Sequence, residues 1–170
     1  MSETTPEPRQ LVLAPEPAFA RLTPLGFHIR ATDFFEIAEL ARVRAEQFSP
    51  VASFLYCRAL ELSLKAYLLA RGDSTSDVAR FGHDLERLLV EAYARGIDVV
   101  LELGVEQRAM ILSMNEQYMS NRLAYFDLFA TVSGGPIHPS LTAVAEVTGA
   151  VLLAVERGCY ESGRNGWRPW

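Results

Sequence analysis

The sequence predicts an all-α fold, an antiparallel up-and-down bundle of four to five helices, and three observations carry that prediction. The stretch from Ser49 to Gly72 is apolar on most of its circumference, the pattern of a helix in the middle of a bundle. Apolar residues recur at helical period in four further stretches, near 33–47, 85–93, 104–120 and 140–157. The connection Phe48-Ser49-Pro50 is short, so the second helix must run back against the first.

Residues 1–20 hold Pro6, Pro8, Pro15 and Pro17 with several acids, the composition of a mobile or extended arm. Within it Leu11-Val12-Leu13 reads either as an edge strand or as a contact for a partner. Residues 21–30 read as a connector, because Pro24 and Gly26 oppose helix there. Arm and connector thus take 1–30 and the bundle 31–157. The first helix is expected from Asp33, where Asp33 and Glu36 can satisfy free amides reciprocally. Its stripe is Phe34, Ile37, Leu40, Ala41 and Val43 or Arg44, running through Gln47.

The second helix opens with Ser49 as N-cap and Pro50 at the first helical position. Leu55, Ala59, Leu62, Ala66 and Leu69 form its stripe, widened by Phe54, Leu64, Tyr67 and Leu68, and Gly72 stops it. Arg58, Glu61 and Lys65 share one face. Glu61 precedes Lys65 by one turn, worth about 0.2–0.5 kcal/mol if the pair is exposed; if buried, the pair marks a cleft or a subunit interface, because burial is unfavourable unless well satisfied. Both readings stand at this point.

Asp77 to Phe81 reads as an entry turn, after which Gly82-His83-Asp84 opens a third helix with Leu85, Leu88, Leu89, Ala92 and Tyr93 on one side and Gly96 at its close. Residues 97–104 read equally as extended or helical. The fourth helix, 104–120, places Val105, Ala109, Leu112 and Met119 on one face, with Ile111 and Tyr118 beside them. Residues 121–138 lose the period: aromatics follow Asn121-Arg122, and Ser133-Gly134-Gly135-Pro136 is a turn. Loops of that length are often functional. The last helix, 140–157, is capped by Ser140 or His138 and carries Leu141, Val144, Ala145, Thr148, Val151, Leu152 and Val155. Gly158 should end it, leaving 158–170 as an aromatic tail with Trp167 and Trp170.

A length of 170 residues suits one domain with a full core, and 49% hydrophobic against 22% charged residues is globular usage. The net charge of −5 argues against broad electrostatic binding to nucleic acid, while leaving room for a local basic patch. Lys65 is the only lysine. Cys57 and Cys159 have no CxxC partner, and Cys57 reads as a buried free thiol. No apolar run reaches a membrane span and the N-terminus lacks a signal pattern, so a cytoplasmic protein without membrane contact is expected. Three scattered His, two distant Cys, no HExxH and no Gly-rich phosphate loop predict neither metal nor cofactor.

The run Ala59-x-Glu61-x-x-x-Lys65-Ala66-Tyr67-Leu68, then Gly72, then Gly82-His83-Asp84-Leu85 with Leu88 and Ala92, resembles the HEPN domain family. The resemblance extends over roughly 30–157 by helix order, with its motifs in 58–92 and the Gly-His-Asp-Leu box its sharpest part. It implies a helical bundle linked to nucleotide and RNA chemistry, commonly a homodimer with a cleft between protomers. Active ribonucleases of the family carry Arg, four to six residues, then His. After Arg122 the matching positions are Asp127, Leu128 and Phe129. Arg21 and His28 fit the spacing, but in the connector, where the match reads as chance. Arg122-x-x-Tyr125 resembles instead the Arg-x-x-Tyr of non-nuclease relatives.

The expected site is therefore Arg122 as a planar fork for phosphate, Tyr125 or Tyr118 stacked on a base, Lys65, and His83. Plainer structural roles stand beside these: Arg122 pairing with Glu116, Asp127 or a helix C-terminus to fix the loop, and His83 capping or packing a helix start, with Asp84 complementing the helix dipole. The resemblance implies a non-catalytic nucleotide- or RNA-binding protein that acts with a nucleotidyltransferase or in a toxin–antitoxin or defence pair. The alternatives are a ribonuclease with a displaced histidine, His138 or His83, and a protein–protein interaction module.

Overall fold

The computed structural model describes residues 22–44, 49–120, 123 and 139–166. Among them it forms six α-helices: α1 (Pro24–Val43), α2 (Pro50–Ala70), α3 (Thr75–Ala79), α4 (Leu85–Ala94), α5 (Val105–Met119) and α6 (Leu141–Gly166), with a 3₁₀ turn at Ile97–Val99. The fold is an all-α bundle, as the periodicity predicts.

α1 begins at Pro24, not at Asp33. Thr23 is its N-cap, with Oγ1 accepting from the Gly26 amide at 3.0 Å, and Pro24 occupies the first turn, where a missing N–H costs nothing. The residues that appeared to oppose helix are its start, and the expected connector is its first turns. The buried line is also rotated from expectation: His28, Ala31 and Ala38 face inward, while Ile37, Leu40 and Val43 are 53%, 69% and 78% exposed.

Successive pairs fix the helix directions. Glu39 meets Tyr56, Phe34 meets Arg58 and Ala31 meets Leu62, so α1 and α2 are antiparallel. Phe35 lies against Gly149 and His28 against Tyr160, so α6 is also antiparallel to α1 and runs with α2. Leu85 meets Asn115 and Tyr93 meets Arg108, which sets α5 against α4. Residues 71–84 carry the chain back along α2, so α4 starts beside Glu61 and ends with Arg95 at Asp73.

α2 is the centre of this arrangement. Every residue from Ala59 to Leu68 is buried, and Leu60, Leu64 and Leu68 are fully so. Each such side chain contributes about 1.5–3 kcal/mol relative to exposure. α6 buries all seven of its expected positions, from Leu141 to Val155, and Ser140 caps it through Ala143. It then runs past Gly158, because the fully buried Cys159 anchors the next turn, so helix occupies much of the expected tail. α5 turns Ile111, Met114, Asn115 and Tyr118 inward and leaves Val105, Leu112 and Met119 exposed, the opposite choice from the expected face. Both cysteines are buried free thiols. Among the described residues, no helix is long and apolar enough to cross a membrane.

Candidate functional site

Glu61 is fully buried, yet four side chains converge on its carboxylate. Lys65 Nζ donates to Oε1 at 2.6 Å, Tyr118 hydroxyl to Oε2 at 2.6 Å, and Arg58 Nη1 reaches both oxygens at 2.9 and 2.8 Å. His83 Nδ1 lies 3.0 Å from Oε2. Arg58 and Lys65 reach Glu61 because all three lie on one side of α2 at three- and four-residue steps. The exposed-pair value for Glu61 and Lys65 therefore does not apply; these charges are inside.

The turn before α4 is held from three directions. Gly82 takes a left-handed backbone, φ +57°, natural for glycine. Its carbonyl accepts from Lys65 Nζ at 2.5 Å. Asp84, not His83, is the N-cap of α4, its Oδ1 accepting from the Arg87 amide at 3.1 Å. Asn115 of α5 reaches across: its Oδ1 accepts from the Leu85 amide and its Nδ2 donates to Asp84 Oδ1. The Gly-His-Asp box is thus a rigid turn that presents His83 to Glu61.

The charges set the histidine tautomer. An ionised carboxylate only accepts hydrogen bonds, so a ring nitrogen 3.0 Å from it carries the proton. Arg58 Nη1, 3.3 Å from the same Nδ1, is then a close neighbour and not its donor. In the neutral ring this leaves Nε2 with its lone pair, and the side chain is 63% exposed. The ring is steadied edge-on against Tyr118 at a centroid distance of 5.8 Å. Burial pushes the Glu61 carboxyl upward, but hydrogen bonds from Lys65, Tyr118 and His83, with the Arg58 charge, outweigh it and hold the group below its ordinary value. Burial followed by the Glu61 charge pushes the Tyr118 phenol up, so it stays a donor.

Of the expected site residues, Lys65, His83 and Tyr118 are brought together here. Their access to a ligand differs. Tyr118 is 5% exposed and supports the cluster from behind, a correction to the expectation that it stacks on a base. Lys65 is 8% exposed and engages Glu61 and Gly82, which makes it a positioning group. Arg58 and His83 form the accessible edge. Arg122, Tyr125, Glu116's expected partner role and His138 bear on residues outside the described ones, as do Arg21, Trp167 and Trp170. His28 is buried between α1 and α6.

Sequence reasoning missed Arg58 and Asn115 as parts of this site. The available signals were an arginine one turn before Glu61 and an amide in register with Ile111 and Tyr118 on a helix. No group of His, Cys, Asp and Glu among the described residues is arranged to hold a metal ion. No family model matches the chain, and the searches of curated proteins and of solved structures return no match either.

Proposed function

We propose that the chain is a HEPN-like, non-catalytic nucleotide- or RNA-binding protein whose ligand phosphate meets the Arg58–His83 edge. One observation carries this reading: a buried carboxylate holds a guanidinium and an imidazole side by side at the surface. Arginine suits phosphate because its planar fork matches the oxygens and never loses its charge. Among the groups touching Glu61, Arg58 and Lys65 supply two cations against one anion, a local positive point on an acidic chain. Arg122 and Tyr125 remain the proposed contributors from the loop. A homodimer, a nucleotidyltransferase or an antitoxin partner belongs to the same proposal; the exposed Leu40 and Val43 on α1 support self-association.

A second reading, a ribonuclease with a displaced histidine, is favoured by the Glu61–His83 geometry. With Nδ1–H donated to Glu61, Nε2 can take a proton from an RNA 2′-hydroxyl while Arg58 stabilises the phosphate charge. The nucleophile then comes from the substrate: the 2′-oxygen bonds to phosphorus, the bond to the 5′-oxygen breaks, and that oxygen leaves with a proton from water. A titration with nucleotides and short RNAs at low and moderate salt, with RNA integrity followed, tests both readings. Saturable binding weakened at least tenfold, about 1.4 kcal/mol, by Arg58→Gln supports the first. RNA cleavage abolished by His83→Gln supports the second. A folded protein that binds neither ligand refutes both and leaves the interaction module.

A further inference from the structure

We infer that a groove between α1 and α2, opening beside Arg58, seats a single nucleotide: its base lies on Phe34, Ile37 and Leu62 and its phosphate lies between Arg30 and Arg58. The inference rests on the nucleotide-binding reading and narrows it to one ligand class. The groove is lined by Arg30, Asp33, Phe34, Ile37, Arg58 and Leu62 and has a volume of about 360 Å³. That lies at the small end of ligand pockets, which run from about 300 to 1,000 Å³. It suits one nucleoside unit and not a length of chain. The acidic balance of the protein agrees, since a track for a polyanion needs many cations.

The chemistry of the walls favours this occupant. Arg30 stands on α1 and Arg58 on α2, so two guanidinium groups border the groove from opposite sides. Arg30 and Asp33 are three residues apart on one helix, yet neither makes an ion pair or hydrogen bond among the described residues. Among the described residues both groups are thus open to a ligand. A phosphate satisfies the arginines, while Asp33, which repels it, accepts from a base amine or ribose hydroxyl. The floor offers one aromatic ring, Phe34, with the Arg58 guanidinium above it at 6.0 Å. Arg58 also links the groove to the buried cluster, because Glu61 fixes its Nη1 and His83 stands beside it. A phosphate at Arg58 consequently lies beside the exposed imidazole.

The test is calorimetric titration of the full chain with AMP, GMP, inorganic phosphate and a ten-residue oligouridylate. Arg30→Glu changes an exposed residue without a partner among the described residues, so the described bundle keeps its contacts; it should weaken nucleoside monophosphate binding at least tenfold. Phe34→Leu should weaken AMP and GMP while leaving inorganic phosphate unchanged. The wild-type chain should bind the oligonucleotide no more tightly than the monophosphate. Wild-type affinity for AMP and GMP in both variants, with loss in Arg58→Gln and His83→Gln, overturns the groove and leaves the broader reading standing. No binding of any of these ligands by the wild-type chain overturns both. A dimer that dissociates in Arg30→Glu or Phe34→Leu, with nucleotide affinity unchanged, identifies the groove as a contact between copies and overturns its role as a ligand seat.

Discussion

Glu61→Gln removes one charge from the centre of the molecule at nearly constant volume. In the native protein that charge neutralises Lys65, whose side chain is only 10% exposed, and half-buried Arg58. Without it two cations sit beside each other in a medium that solvates them poorly, and the new amide must place donors where Tyr118 and His83 already donate. Breaking a buried ion pair by removing one partner costs about 3–5 kcal/mol. For a domain of this size each kcal/mol lowers Tm by about 2–4 °C, so the loss is roughly 6–20 °C. Urea titration followed by circular dichroism should show the midpoint falling with an unchanged slope. Acid adds an internal control. Because the folded carboxyl lies below its ordinary 4.5, its contribution is fully present above that pH and drains as pH falls through the folded value. Glu61→Gln should lose less stability than wild type between pH 5 and the acid limit. Glu39→Gln, at a carboxylate with 32% of its side chain exposed, should move the midpoint far less. Equal midpoints for Glu61→Gln and Glu39→Gln would refute the idea of a buried, charge-dependent hub.

Two glycines should respond in opposite directions to alanine. Gly82→Ala meets no atom within 4 Å but must hold φ +57°, at about 1–2 kcal/mol, whereas Gly158→Ala fills an exposed position inside α6 and should stabilise by about 0.5–1 kcal/mol; chemical denaturation of both variants reads the signs. Burial raises both thiols, Cys57 strongly and Cys159 to about 12, so neither should react with an aromatic disulfide reagent at pH 8 until urea unfolds the chain. Burial lowers the His28 pKa below its ordinary 6.5, with Glu156 opposing, so its contribution is present above pH 6.5 and is lost on acidification. His28→Phe should flatten the decline in the urea midpoint between pH 7 and 5.

The legible parts of the fold were those whose burial has a single solution. α6 has one apolar stripe and all of it is buried; α4 likewise turns in Leu85, Leu88, Leu89 and Ala92. α1 was misread because it packs on two helices at once. Ala31 and Ala38 allow close approach there, and the larger Ile37 and Leu40 are left outside. Its start was readable, since Thr-Pro is an N-cap followed by a first-turn proline. α5 carries two stripes of similar apolarity, and the choice between them falls to Tyr118 at Glu61 and Asn115 at the start of α4. The same long-range bonds hid half of the site. Lys65 and His83 stood out by residue type; Arg58 lies one turn before Glu61 but gains its place at the site only when His83, 25 positions on, is brought beside it, and Asn115 takes its meaning from a partner 30 positions away.

Because α6 runs beside α2 and not beside its own neighbour in sequence, the central helix is covered in an order set by translation. The α1–α2 hairpin leaves the ribosome early, yet Leu62 and the residues around it wait for Leu152 and its turn of α6. About 85 residues separate Ala70 from Val155. At roughly 5–20 residues per second, the interval is about 4–17 s. During that time the nascent chain carries a helix whose flank toward α6 is bare. The yield of folded protein therefore depends on how quickly elongation delivers that cover, and on what shields the hairpin in the meantime.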